Sequence, residues 1–181
     1  ARGVEVLVVR NGWFSYRWSQ IIENGDLTGK ATVLKAGMQG NSTPAPFAPC
    51  PIDEVVEAIR VQKPKVVFAP HVETSAGVIL PDDYVKQMAE AAHEVGALMV
   101  LDSIASGCAW VDMEALGIDV LISAPQKGWS ASPSAGLVMM SARAVGRLAE
   151  TTSDSFRRMR TAAMPIIRLC PPMRCAVFAM P

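Results

Sequence analysis

Short apolar runs alternate along this chain with segments whose apolar residues recur at helical spacing. The runs begin with Val4–Val9 and continue with Ala31–Leu34, Val66–Ala69 and Ala97–Leu101. An apolar run of this length, without polar alternation, is typical of a strand that is buried on both faces of a sheet. Because strands that alternate with helices form a mostly parallel sheet flanked by helices, the sequence predicts the α/β class.

Helical patterns lie between the predicted strands. The first covers Ser15–Asn24, and the second follows Pro51, whose missing N–H is tolerated at the start of a helix. A third begins at Pro81, and the two aspartates that follow place carboxylates at the positive end of that helix. The remaining segments are predicted as two strands, a last helix and a long loop: Asp119–Ile122, Gly136–Met140, Ala142 to about Thr151, and Gly37–Pro51.

Composition and charge exclude several classes of protein. The 181 residues carry 17 basic and 17 acidic side chains, whereas a binder of nucleic acid or of anionic membranes needs a basic surplus. No apolar run approaches the roughly 18 residues that suggest a membrane span. The spacing of Cys50, Cys108, Cys170 and Cys175 matches no zinc site, so we expect reduced thiols in a cytoplasmic protein without a metal.

Chemically useful side chains follow the carboxyl ends of four predicted strands. In an open α/β sheet, ligands bind just beyond these ends, so the side chains are expected to meet at one edge. They are Phe14, Thr74, Asp102, Ile104, Gln126 and Lys127. An aromatic ring, a hydroxyl, a carboxylate and a lysine suit pyridoxal phosphate, which needs a lysine for its Schiff base and an acid for its pyridinium nitrogen.

Each of these residues can also have an ordinary structural role. Asp102 can cap a helix after its strand, and Lys127 can be a solvated surface lysine. Phe14 can belong to the core, Thr74 can be a turn hydroxyl, and His71 is expected to be a hydrogen-bonded structural histidine. Spacing alone therefore leaves the cofactor hypothesis open beside these structural roles.

Four stretches between residues 71 and 141 resemble the class V, fold-type I aminotransferases, in the alanine–glyoxylate and serine–glyoxylate group. They are HVETSAGVILP (71–81), LDSIASG (101–107), VDMEALGIDVLISAPQKGW (111–129) and PSAGLVMMS (133–141), and VVRNGWFSYRW (8–18) is also similar. The specific part is the order of the motifs, an aspartate and then a Gly-Ile-Asp strand that leads into Ser-x-x-Gln-Lys. This resemblance covers most of residues 4–155 and implies pyridoxal 5'-phosphate as the cofactor.

The resemblance also implies a role for each candidate residue at its matching position. Lys127 is expected to form the Schiff base and to act as the proton shuttle, and Asp102 to pair with the pyridine nitrogen. Thr74 is expected beside the 3-hydroxyl of the ring. Ile104 is expected to pack on one face of the ring, and Phe14 is expected to stack on the other.

Gln126 precedes the lysine and bears on the reaction. The resemblance places Gln126 at the phosphate, whereas cysteine desulfurases of the same fold have His at this position. A glutamine can hold an anion but cannot titrate near neutral pH. We therefore expect an aminotransferase that moves an amino group from a small amino acid, of the alanine or serine type, to a 2-oxo acid such as glyoxylate. A lyase or desulfurase of the same fold and a non-catalytic truncated remnant are the alternatives.

Two regions of the chain are predicted to differ in character. Residues 1–155 are expected to be the cofactor-binding large domain, incomplete at its N-terminal side. The full-length form is expected to be a homodimer. The phosphate loop and the arginine for the substrate carboxylate are expected outside this chain. Residues 156–181 hold five arginines and four prolines but no acid, and are expected to be an irregular tail. Thr161–Met180 can be back-translated into codons whose neighbouring reading frame encodes a segment similar to the family. We therefore hypothesise a frameshift from about residue 157. The nucleotide sequence of the gene tests this hypothesis.

Overall fold

Four helices and twelve strands form the part of the chain that the computed structural model describes, residues 4–27, 29–107, 109–148, 166–167 and 174–179. The helices are α1 (Trp13–Asn24), α2 (Ile52–Gln62), α3 (Asp82–Glu94) and α4 (Ala142–Leu148). The strands are β1 (Glu5–Arg10), β2 (Lys30–Lys35), β3 (Gly37–Met38), β4 (Phe47–Ala48), β5 (Val66–Pro70), β6 (Val72–Glu73), β7 (Val78–Ile79), β8 (Leu98–Asp102), β9 (Val120–Ser123), β10 (Ala135–Met140), β11 (Ile166–Ile167) and β12 (Arg174–Ala179).

Eight of these strands form one sheet, in the order β11-β12-β10-β9-β8-β5-β1-β2. The five strands from β9 to β2 pair in parallel, whereas β10, β11 and β12 pair antiparallel. The prediction of a mostly parallel sheet flanked by helices is therefore confirmed. Because β1, β5, β8 and β9 run the same way, the residues that follow them lie along one edge of the sheet. We call this edge, with residues 11–14, 71–75, 102–104 and 124–127, the carboxyl edge.

The apolar core lies on both faces of this sheet, as the unbroken apolar runs predicted. Successive side chains of a strand point to opposite faces. Leu7 and Val9 of β1 are buried in the larger cluster with residues of α2 and α3, while Val6 and Val8 pack with Ile22 of α1. Helix α1 therefore covers one face, and α2 and α3 cover the other.

The boundaries of several elements differ slightly from the predicted ones. Helix α1 begins two residues before the predicted start, and Pro51 stands directly before α2 as its N-cap rather than inside it. The predicted loop at 37–51 contains the short antiparallel pair of β3 and β4. The last helix is described up to Leu148, so its predicted end near Thr151 lies outside the described residues.

The region predicted to be an irregular tail contains two of the strands. Strand β12 pairs antiparallel with β10 over six residue pairs, from Ala135↔Ala179 to Met140↔Arg174. Its sequence, RCAVFA, is a short apolar run of the kind that forms strands elsewhere in this chain. The structure thus differs from the expectation for residues 166–167 and 174–179. The frameshift hypothesis and the division into a large domain and a tail stay predictions.

Candidate active site

The N-terminus of α1 lies at the carboxyl edge and is held there by the buried carboxylate of Glu73. This carboxylate accepts hydrogen bonds from the backbone N–H groups of Phe14 at 3.2 Å and Ser15 at 2.9 Å, and from the hydroxyls of Ser15 and Ser75, both at 2.6 Å. Burial raises the pKa of Glu73, but these hydrogen bonds outweigh it and the pKa falls below its usual value. Glu73 therefore fixes where α1 begins and where it carries Phe14.

Gly12 allows this close approach between α1 and the segment after β5. A Cβ atom at Gly12 would lie 2.7 Å from Cγ of Glu73, so a larger residue would push the two segments apart. The next residue, Trp13, donates its backbone N–H to Oγ of Ser75 at 2.8 Å. The Asn-Gly pair after the first predicted strand is thus the point where the start of α1 contacts the segment after β5.

Asp102 ends β8 at the middle of the carboxyl edge. Its Oδ1 accepts the backbone N–H of Ile104 at 3.1 Å, and its Oδ2 accepts the indole Nε1–H of Trp18 at 3.2 Å. Burial raises the pKa of Asp102, these two hydrogen bonds oppose the rise, and the negative charge of Glu73 adds to it. No helix directly follows Asp102 among the described residues, so the alternative of a helix cap does not apply.

His71 connects the segments that follow β5 and β8. Its backbone N–H donates to the carbonyl oxygen of Asp102 at 2.9 Å, and its Nδ1 lies 2.7 Å from Oγ of Ser106. The Ser103 hydroxyl donates to the same Oγ at 2.7 Å. Burial lowers the pKa of the His71 imidazole, and Asp82 acts in the opposite direction. These contacts are those of the hydrogen-bonded structural histidine that the sequence predicted.

Lys127 and Gln126 lie on the turn after β9, with both side chains exposed. A Cβ atom on the next residue, Gly128, would overlap the backbone of Gly107, in the loop after Asp102. The lysine loop and the aspartate loop therefore touch through two glycines. The exposed side chains of Thr74, Gln126 and Lys127 form no hydrogen bond with another described residue, so they can contact a ligand.

Phe14 and Ile104 are the apolar candidates at the same edge. Phe14 is 44% exposed, with the guanidinium of Arg17 5.9 Å from its ring centroid, so the alternative that it belongs to the core does not apply. Ile104 is half-buried directly beside Asp102. The structure thus places all six candidate residues at the carboxyl edge, while their roles toward a cofactor stay proposals.

Sequence reasoning missed two contributors to this edge. Trp18 was not singled out, although its spacing of four residues from Phe14 placed it on the same side of a helix. Glu73 was seen as part of a motif without a role. Its role as the anchor of α1 depends on contacts with Phe14 and Ser15, which are far away in the sequence, so no local pattern indicated it.

The chain belongs to the class-V aminotransferase family, whose pattern matches residues 5–161. It is 37% identical over 98 residues to the alanine–glyoxylate aminotransferase of Oryctolagus cuniculus, and this match covers 54% of the chain and 24% of the relative. It is 32% identical over 143 residues to the soluble hydrogenase 42 kDa subunit of Anabaena cylindrica, and this match covers 78% of the chain and 35% of the relative. The chain thus spans about a quarter to a third of the length of these curated relatives.

A solved structure shows the same fold. The alanine–glyoxylate aminotransferase from Nostoc sp. matches with a TM-score of 0.72 at 23% sequence identity, over 89% of this chain and 40% of that one. At this identity the likeness shows the fold, which is that of the fold-type I aminotransferases. The match thus supports the expectation that the parallel sheet belongs to the large domain of such an enzyme.

Family membership implies pyridoxal 5'-phosphate as the cofactor, and the residues at the carboxyl edge fit it. The ring nitrogen needs a carboxylate, and among the described residues no cation pairs with Asp102. Each oxygen of Asp102 accepts one hydrogen bond and has a lone pair left for a further N–H donor. An exposed lysine on the turn after the adjacent strand β9 and an exposed aromatic ring complete the set.

Among the described residues, no helix is long and apolar enough to cross a membrane. No group of three or more His, Cys, Asp or Glu side chains in this part of the chain is arranged to hold a metal ion. The one cysteine whose state is described, Cys50, is a buried free thiol.

Proposed function

We propose that this chain is part of a pyridoxal-phosphate-dependent aminotransferase that transfers an amino group from a small amino acid, of the alanine or serine type, to a 2-oxo acid such as glyoxylate. The observation that carries this proposal is the half-buried Asp102 carboxylate, whose two oxygens can each accept a further hydrogen bond, beside the loop of the exposed Lys127. The relatives that are named as alanine–glyoxylate aminotransferases support the choice of substrates.

Lys127 and Asp102 have the two central roles. When bound, pyridoxal phosphate supplies an electron sink for the bonds around the amino-acid α-carbon. The Nζ atom of Lys127 would hold the cofactor through its aldehyde, and the lysine amine, once released by the amino group of the substrate, would take up and return the α-proton as a general base and acid. The Asp102 carboxylate accepts the N–H of the cofactor ring and keeps that nitrogen protonated through a charge-assisted hydrogen bond.

The other candidate residues hold the cofactor in place. The Phe14 ring stacks on one face of the cofactor, and Ile104 packs on the other. The Thr74 hydroxyl lies by the 3-hydroxyl of the ring, and the Gln126 amide donates to the phosphate. In this proposal Gln126 also disfavours the desulfurase alternative, because its amide cannot carry a proton to or from a substrate.

The whole protein is proposed to act as a cytoplasmic homodimer. The family resemblance supports the dimer, and the balanced charge with a free Cys50 thiol is consistent with a reducing compartment. Light scattering on the full-length protein tests the dimer, and a monomer that is stable at micromolar concentration contradicts it.

An absorbance titration with pyridoxal phosphate tests the central role of Lys127. The unchanged chain is expected to give a pH-sensitive absorbance band of amine-bound cofactor that survives dialysis. Lys127→Ala is expected to abolish this band, because it removes the amine at the carboxyl edge. The matched control is Lys86→Ala, which removes an exposed lysine from α3 and is expected to leave the band unchanged. A band that persists in Lys127→Ala contradicts the proposed role.

A further inference from the structure

Helix α1 reaches the candidate site at two positions that are one turn apart. Phe14 and Trp18 are four residues apart and so lie on the same side of the helix. The Trp18 ring stacks on Phe68 of β5, with 4.7 Å between ring centroids and 29° between the ring planes. Its indole N–H then donates to Oδ2 of Asp102 at 3.2 Å. Trp18 therefore joins α1 and β5 to the carboxylate at the end of β8.

Two hydrogen bonds from different elements fix the plane of this carboxylate. The Ile104 N–H holds Oδ1 from the loop that follows β8, and the Trp18 indole holds Oδ2 from α1. With only one of these bonds, the carboxylate could rotate about its Cβ–Cγ bond. With both, each oxygen has its remaining lone pair in a fixed direction, ready for one more donor.

The same two bonds also favour the charged form of Asp102. Burial and the negative charge of Glu73 both favour the neutral acid. A neutral carboxylic acid cannot form the ion pair that keeps a ring nitrogen protonated. Hydrogen bonds that stabilise the anion therefore matter more here than they would at an exposed carboxylate.

We propose that Trp18 is a positioning residue, whose indole N–H holds the Asp102 carboxylate in the orientation that a protonated ring nitrogen needs. The contact between Asp102 and a ring nitrogen depends on the proposed function, whereas the hydrogen bond from Trp18 to Asp102 does not. Trp18 acts through Asp102 and does not itself touch the reacting atoms. Its stacking on Phe68 fixes the indole so that the N–H points at Oδ2.

The first test uses the cofactor-free chain and the pKa of Asp102, measured by NMR titration of its side-chain carboxyl. Trp18→Phe keeps an aromatic ring against Phe68 but has no N–H donor. The pKa of Asp102 is expected to rise by about one unit, because a hydrogen bond to the charged form is lost. The matched control is Trp13→Phe on the same helix, where the ring is 63% exposed and the indole N–H meets no described acceptor. That variant is expected to leave the pKa unchanged.

A second replacement separates the hydrogen bond from packing. Trp18 is exchanged for its benzothiophene analogue, which has the shape of the indole with sulfur in place of N–H. Circular dichroism and the melting temperature verify that each variant folds. The analogue is expected to raise the pKa of Asp102 as Trp18→Phe does. If the pKa of Asp102 stays unchanged in a folded chain with the analogue, the proposal is overturned.

The affinity for pyridoxal phosphate gives a separate readout. Trp18→Phe is expected to raise the Kd of the cofactor about tenfold, since the carboxylate is less often ionised and correctly oriented. If the unchanged chain binds no cofactor but the pKa of Asp102 still responds to Trp18, the proposed function fails and the hold on Asp102 stands. If the cofactor binds and Trp18→Phe changes neither the pKa nor the Kd, the role of Trp18 alone is overturned.

Discussion

Glu73 is a buried carboxylate that connects the segment after β5 to the first turn of α1. Glu73→Gln removes the charge and leaves one acceptor oxygen for the donors from Phe14, Ser15 and Ser75. A hydrogen bond to a charged group stabilises the fold by about 1–3 kcal/mol, and a buried donor left unpaired costs about as much. We therefore expect the free energy of unfolding to fall by about 2–3 kcal/mol at pH 7. Urea unfolding followed by circular dichroism measures it, with Glu90→Gln on the exposed side of α3 as the matched control.

The pH dependence of this effect has a definite sign. Hydrogen bonds place the folded pKa of Glu73 below its ordinary value of 4.5, which applies to the unfolded chain. The carboxylate thus contributes its full stability above pH 4.5 and loses it as the pH falls through the folded pKa. The difference between the unchanged chain and Glu73→Gln is expected to be constant from pH 7 to about pH 5 and to shrink below pH 4.5. Asp102, whose pKa is raised, acts in the opposite direction. Because the charge of Glu73 is the smallest of the causes that act on the pKa of Asp102, most of this effect is common to both proteins and cancels. A difference that grows toward acid contradicts this assignment.

At the scale of single residues, the sequence indicated positions better than contacts. All six candidate residues lie at the carboxyl edge because strand ends can be located from the apolar runs and the turns that follow. The hydrogen bond from Trp18 to Asp102 spans 84 residues of sequence, and no local pattern encodes such a pair. The partners of Glu73, 58 and 59 residues away, were hidden for the same reason.

The loops that follow β8 and β9 meet at two glycines, and this contact positions Lys127 relative to Asp102. Gly128→Ala would place a methyl group against the backbone of Gly107. Such overpacking costs about 1–3 kcal/mol, and we expect the affinity for pyridoxal phosphate to fall as the lysine loop is displaced. The matched control is Gly146→Ala in α4, where a Cβ atom meets nothing within 4 Å. There the free energy of unfolding is expected to rise by about 0.5–1 kcal/mol, since alanine favours a helix.

Urea unfolding and an absorbance titration on both variants measure this prediction. If Gly128→Ala is as stable as the unchanged chain and binds the cofactor equally well, the close approach of the two loops has no structural consequence. If Gly146→Ala also destabilises the chain, the loss at Gly128 cannot be assigned to the contact with Gly107.

At the scale of elements, the sequence predicted strands and helices where apolar residues recur with a clear period. Strand β1 and helix α2 are examples, because Val6–Val9 form an unbroken run and Ile52, Val55 and Ile59 recur on one face. The short pairs of β3 with β4 and of β6 with β7 were not predicted, since two-residue strands carry no period. Strand β12 was missed because its apolar run stands among arginines and prolines, and its pairing with β10 is a long-range contact.

At the scale of the whole molecule, exposed apolar side chains and an open sheet edge are features of the described chain. Strand β2 is at one end of the sheet order, and unpaired strand edges promote association between chains. Trp110 is 89% exposed, and Trp129 and Trp13 are more than half exposed. Exposed apolar surface of this kind is normally covered by another surface. We therefore expect marginal stability and concentration-dependent self-association of this chain in isolation.

Trp110 offers a direct test of this expectation. Since its side chain is almost fully exposed, Trp110→Ser removes apolar surface without taking packing from the core, and the melting temperature is expected to change little. Light scattering at increasing protein concentration is expected to show less self-association than in the unchanged chain. The matched control is Val61→Ser on α2, which removes a smaller apolar side chain that is 68% exposed. Equal self-association in all three proteins would show that β2 or another surface drives it, and a monodisperse chain with a high melting temperature would contradict the expectation altogether.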